Sequence, residues 1–177
     1  MSYIRAAKIK FMNKPIIYQI LPRLWGNNVE NPVENGSLSE NGTGKFSDID
    51  DASLDYFKWL GCSHIWYTGV LRHSTQASEH GCTPSHPQFV KGKAGSPYAI
   101  CDYYDVNAYL ADNAGDRMLE FEQLIKRTHD AGLKVIIDFV PNHVARDYGK
   151  VDMTPGHPVL GAEDDRSVHW REENDFI

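Results

Sequence analysis

The sequence predicts an α/β fold of parallel strands joined by helices, from three observations: near-continuous apolar runs, helical patterns that stop at glycines, and loops of unequal length. The first run, Ile16 to Leu21, lies between Pro15 and Pro22; the second, Ser63 to Val70, follows Gly61; the third, Lys134 to Val140, follows Gly132. Each is rich in β-branched and aromatic residues and scarcely alternates, which suits strands buried on both faces of a parallel sheet. Two helical patterns stand before the second and third runs. From Asp51 to Gly61, Leu54, Phe57 and Leu60 recur at helical spacing, with Asp50 or Asp51 able to cap the start and Gly61 to take a left-handed end. From Met118 to Ala131, positions 118, 121, 124, 125 and 128 form one stripe, flanked by Asp116 and Gly132. Strand, helix, strand, long loop, helix, strand is the order of a βαβ chain.

The loops place the candidate site. Trp25 to Ile49, rich in Asn, Gly, Ser and Glu, follows the first strand, and the longer Leu71 to Gly115 follows the second. The returns from helix to strand are only a few residues. Long loops gathered at the C-terminal ends of strands mark that face as functional. After Val144 the chain turns polar and irregular, with Pro155, Gly156, Pro158 and Gly161 as breakers. Three strands make an unfinished sheet with open edges, so the chain reads as a portion of a larger barrel or as a small open α/β domain.

Composition narrows the function classes. A net charge of −6 with scattered Lys and Arg argues against a nucleic-acid surface, which needs a clustered basic face. No stretch approaches the ~20 apolar residues of a membrane span, and residues 1–15 lack the apolar core of a secretory leader, so a cytoplasmic chain is expected. Cys62, Cys82 and Cys101 form no CxxC pair and suit reduced thiols, with a Cys82–Cys101 bridge as the alternative.

The third run ends Asp138-Phe139-Val140-Pro141-Asn142-His143. A carboxylate at the end of a buried strand is costly unless bonded or paired. With an amide oxygen and an imidazole just beyond it, the group suits a polar sugar or a hard cation with oxygen ligands. A buried Asp satisfied by backbone, followed by ordinary turn residues, fits the spacing equally well.

Asp138-x-Val140-x-Asn142-His143 at the end of a strand resembles the first motif of the α-amylase family, glycoside hydrolase family thirteen. Three further segments resemble it in order: Gly44 to Ile49 with Leu54 to Thr68, Ser96-Pro97-Tyr98 through Asp102 to Asn107, and His129 to Asp138. The resemblance implies a partial (β/α)8 TIM barrel: the first three βα units over 1–143, then the start of a domain inserted after the third strand over 144–177. It implies that Tyr98 stacks on the sugar ring, that His143 hydrogen-bonds its hydroxyls, and that Asp138 supports the charge arrangement of the pocket. Asn142 matches a calcium ligand of many members, making calcium a possible cofactor. The implied activity is retaining hydrolysis of α-glucosidic bonds in starch-like glucans. Retention needs two carboxylates about 5 Å apart; in the family both come from later strands, so this chain alone is expected to be inactive. A non-catalytic amylase-like binding or scaffold protein is the alternative. His64, His73, His80 and His86 match nothing in the family and are expected on the surface or in loops. Glu34 and Glu40 lack the spacing of a calcium loop.

Overall fold

The computed structural model describes residues 14–150, 153–168 and 172–174; the reading of residues 1–13 as lacking an apolar leader core lies outside them. The elements run β1 (Ile17–Ile20), α1 (Leu38–Asn41), α2 (Asp51–Trp59), β2 (His64–Tyr67), β3 (Leu71–His73), β4 (Ile100–Val106), α3 (Arg117–Asp130) and β5 (Lys134–Ile137), with short 3-10 turns between. β1, β2 and β5 form a parallel sheet in that order, with Ile65 beside Tyr18 and Val135, and Trp66 beside Gln19 and Ile136. The described residues thus hold three parallel strands and two crossover helices, the third unit contributing its strand. Among them no helix is long and apolar enough to cross a membrane. In the described part of 144–177 the chain makes turns, without helix or strand.

Both crossover helices follow their sequence signals. The Asp50 carboxylate accepts the Ser53 N–H at 2.9 Å, which fixes the start of α2, and Gly61 sits at φ 81° just past its end. Gly132 does the same for α3 at φ 83°. Asp116 precedes α3 without a side-chain cap. Of the expected stripes, Leu54 and Phe57 on α2 and Phe121, Leu124 and Thr128 on α3 are buried, whereas Leu60 and Met118 lie at the ends and stay exposed. Thr128 earns its buried place by bonding: its hydroxyl meets the Tyr67 hydroxyl at 2.7 Å and the Leu124 carbonyl at 2.8 Å.

The core fills the space between the sheet and these helices. Ile20, Ile65 and Tyr67 present one sheet face to Leu54, Phe57 and Leu124. Phe57 meets Tyr18 and Trp25 at centroid distances of 4.8 and 5.2 Å, in tilted geometries that aromatic rings favour. Arg127 closes the helix layer, donating from Nε to the Ile49 carbonyl at 2.8 Å and from Nη2 to the Phe46 carbonyl.

Three expectations are corrected. The strands are not buried on both faces: Ile17 is 48% and Ile137 42% exposed. Among the described residues β1 and β5 have one neighbour each, and apolar composition alone does not secure burial there. The stretch 71–115 is not a plain loop, because β3 and β4 pair within it as an antiparallel ribbon. Finally, two histidines expected on the surface or in loops are strand residues: His64 opens β2 half-buried, and His73 ends β3 at 2% exposure.

Candidate functional site

The sheet divides its polar and apolar side chains by face. Opposite the core, Gln19 on β1 donates to the Thr68 hydroxyl at 2.7 Å, at the C-terminal end of β2. On the same face, Trp66 donates its indole N–H to Asp138 Oδ1 at 2.8 Å. The Gly69 backbone N–H donates to Asp138 Oδ2 at 2.8 Å. Asp138, 8% exposed, is thus held at the end of β5 with both oxygens engaged. This meets the cost of burying a carboxylate through hydrogen bonds to its charged form. Gly69 adopts φ 74°, and an added Cβ would run into the Pro97 ring, so the loop that carries Tyr98 docks directly on the turn that binds Asp138.

Tyr98 is 44% exposed, its backbone N–H donating to Ser96 Oγ at 3.3 Å. Asn142 and His143 lie exposed beyond β5, with Asn142 Nδ2 3.3 Å from His143 Nδ1. The Tyr103 hydroxyl ties this turn to β4 through the Val140 carbonyl and, at 3.5 Å, the His143 carbonyl. A cavity of about 920 Å³ opens here, with Tyr103, Tyr104, Phe139 and Tyr148 on its walls beside Asn142 and His143. Tyr98 and Asp138 do not line it. Of the four residues singled out in the sequence, the structure therefore brings Asn142 and His143 to one cavity, and joins Asp138 to the Tyr98 loop through Gly69. A calcium ion takes six to eight oxygen ligands; Asn142 offers one, and the described residues contain no cluster of three or more His, Cys, Asp or Glu able to hold a metal.

Behind the site, β3 and β4 hold a polar network that the sequence reading missed. Asn107 Nδ2 donates to the Leu71 carbonyl at 2.7 Å and lies 2.8 Å from His73 Nδ1, while Tyr109 Oη lies 3.0 Å from His73 Nε2. Burial, aided by the nearby Arg23 charge, lowers the His73 pKa to about 4, against the pull of the Leu71 and Ala94 carbonyls. Asp105, also buried, receives Arg117 in a bidentate fork at 2.7 and 2.8 Å, with Arg72 at 3.8 Å. Asp102 accepts from Tyr104 N–H at 2.8 Å and from the Thr154 hydroxyl at 2.7 Å, pinning the chain beyond 150 to β4. The cysteines are free, so the Cys82–Cys101 bridge is not formed, and burial pushes the Cys101 thiol up to about 12. Trp66 and Gly69 hold Asp138 and were not singled out as site residues in the sequence. The signal for Trp66 was its strand register, which sets it beside Ile136, two residues before Asp138.

Comparisons with known proteins identify the family. Residues 23–157 match the family model of the α-amylase catalytic domain. An α-glucosidase from Pediococcus pentosaceus is 28% identical over 81% of this chain and 20% of its own length. An amino acid transporter heavy chain from Homo sapiens is 27% identical over 73% of this chain and 14% of its own. The crystal structure of an α-amylase from Lactobacillus plantarum superposes with a TM-score of 0.51 at 27% identity, over 76% of this chain and 24% of that one. The chain thus spans about a fifth of the length of the α-glucosidase, and it belongs to the α-amylase catalytic-domain family.

Proposed function

We propose that this chain forms the N-terminal wall of the substrate cleft in a retaining glycoside hydrolase that acts on α-glucosidic bonds of starch-like glucans. The observation that carries the reading is Asp138, buried at the C-terminal end of a parallel strand and fixed by Trp66 and Gly69. Catalytic groups of parallel barrels stand at that end of the strands. Tyr98 stacks on the sugar ring, His143 hydrogen-bonds its hydroxyls, and Asp138 keeps the polar wall in place. In this reading residues 144–177 begin a domain inserted after β5. Calcium, with Asn142 among its ligands, belongs to the reading only where other groups complete the shell.

Asp138 is not the nucleophile in this mechanism. A nucleophilic carboxylate must present a free oxygen to the anomeric carbon, whereas both oxygens here accept hydrogen bonds from the protein. The buried carboxylates of Asp102 and Asp105 are equally occupied, by Thr154 and by Arg117. Double displacement needs a nucleophile and an acid/base about 5 Å apart, and the proposal assigns both to strands other than β1, β2 and β5. The 177-residue chain alone should therefore release no reducing sugar from soluble starch. The protein that also carries the carboxylate pair should hydrolyse it with retention, read by NMR of the first-formed anomer. Starch turnover by the 177-residue chain that Asp138→Ala abolishes would sink the assignment.

A second reading has one observation in its favour: the matching human protein is named as a transporter heavy chain rather than a hydrolase. An amylase-like scaffold would keep the sheet and core without a working pocket. Maltose binding weakened by Tyr98→Ala and His143→Ala, with thermal stability unchanged, favours the hydrolase; no binding favours the scaffold.

A further inference from the structure

Acidic groups outnumber Lys and Arg in this chain, 24 to 18. The cavity lined by Asn142 and His143 reverses that balance. Arg146, Lys150 and Arg166 line it, and among the described residues no carboxylate does. All three side chains are exposed, and among the described residues none makes an ion pair or a side-chain hydrogen bond. Two of their acidic neighbours have hydrogen-bond partners of their own. Asp147, next to Arg146, is buried and takes the Ser74 hydroxyl at 2.5 Å. Asp165, next to Arg166, accepts from the N–H and hydroxyl of Ser167.

Three like charges around one hollow repel one another and focus a positive potential into it. A neutral glucan gives nothing back for that arrangement, since its hydroxyls are satisfied by neutral donors and its ring by aromatic faces. Aromatic rings are present: Tyr103 and Tyr104 stand on the walls, and Tyr104 is 44% exposed with one face stacked on His157 at 3.8 Å. A ligand that uses both features has a sugar body and an anionic group. Phosphate is the strongest match, because it carries between one and two negative charges near pH 7 and its oxygens fit the guanidinium fork.

We infer that the cavity beside His143 binds a phosphate ester of a glucoside, with Arg146, Lys150 and Arg166 around the phosphate and the tyrosines around the sugar. This rests on the glycoside-binding reading above and narrows its substrate class. Free inorganic phosphate shares the same chemistry and must be separated from the sugar ester.

Calorimetric titration of the protein as its gene encodes it, with maltose, maltose 6′-phosphate and inorganic phosphate, tests the inference. Each exposed cation contributes at most roughly fivefold, so the phosphorylated sugar should bind about tenfold or more tighter than maltose. The ratio should fall below about twofold at high salt, where exposed charges are screened. It should fall equally in the R146Q/K150Q/R166Q variant, with maltose affinity unchanged. If that variant does not fold, R146Q and K150Q singly should each lose roughly threefold for the ester alone. Equal affinity for the two sugars, or a preference that survives the substitutions, overturns the inference and leaves glycoside binding standing. Inorganic phosphate binding as tightly as the ester overturns the sugar-ester assignment. Absence of binding by either sugar overturns both this inference and the reading on which it rests.

Discussion

Acidification should unfold this chain through His73 before the carboxylates begin to matter. The imidazole is 2% exposed, and its Nδ1 faces the amide nitrogen of Asn107 at 2.8 Å. That amide cannot turn over, because its other N–H donates to the Leu71 carbonyl at 2.7 Å and its oxygen accepts the His73 backbone N–H. Nδ1 accepts that second N–H, and a proton there would set N–H against N–H, with the Leu71 carbonyl at 3.3 Å as a weaker acceptor. The folded pKa lies near 4 against 6.5 for the free side chain, chiefly through burial and then through Arg23. The sign follows directly. Above pH 6.5 neither state is protonated and His73 adds no pH dependence. As pH falls from 6.5 toward 4, the unfolded chain takes a proton that the folded one refuses, so stability drops by about 1.4 kcal/mol per pH unit. The loss is about 2 kcal/mol at pH 5 and about 3 kcal/mol near pH 4. Urea unfolding followed by tryptophan fluorescence, at pH 7.5 and 5.0, measures it. His73→Gln removes the titrating group, so its stability, whatever its value at pH 7.5, should lose about 2 kcal/mol less on going to pH 5.0. An identical loss in both proteins would refute the reasoning.

Other perturbations test the site and the core. Asp138→Ala strands the Trp66 indole N–H and the Gly69 N–H, so it should lower stability by roughly 1–3 kcal/mol, seen as a reduced melting temperature with a shifted tryptophan emission. Phe57→Ala removes the ring between Tyr18 and Trp25 and should cost about 3–5 kcal/mol in urea unfolding. Cys101, its thiol held near pKa 12 by burial, should resist iodoacetamide at pH 8 in the folded chain and react promptly in urea, as mass spectrometry would show.

What the sequence made legible was local, and what it concealed was set by distant partners. The helix ends could be read because Asp50, Gly61 and Gly132 act on their own neighbours. The parallel strands could be read from their β-branched runs, but their burial could not, since Ile17 and Ile137 need a second neighbour that composition does not reveal. β4 was hidden because Asp102 and Asp105 interrupt Ile100 to Val106, although the two carboxylates are buried by Thr154 and Arg117 from other parts of the chain. The same run, bounded by Pro97 and Asn107 and holding two tyrosines, carried a strand signal of its own. His73 looked like a loop residue for a similar reason: its partners, Asn107 and Tyr109, lie 34 and 36 residues away. Asp138 was found by motif, while the groups that hold it, Trp66 and Gly69, emerge only from the folded structure.

That register ties the site to the core. Ile65 and Tyr67 face the helices, so Trp66 and Thr68 must face the other way, where Gln19 and Asp138 meet them. A one-residue slip of β5 against β2 would turn Asp138 toward Leu124 and Phe57, burying an unpaired carboxylate in the apolar layer while breaking its bonds to Trp66 and Gly69. The apolar side chains that secure the helices therefore also fix where the carboxylate stands. Substitutions that loosen the α3 contact, such as Leu124→Ala, should disturb Asp138 without touching it. Tryptophan fluorescence reports this, because Trp66 is bonded to that carboxylate. A Leu124→Ala protein that is destabilised by the about 2–5 kcal/mol of a cavity, yet keeps an unchanged Trp66 signal in its folded state, would show that the carboxylate is positioned by its own turn and not by the core.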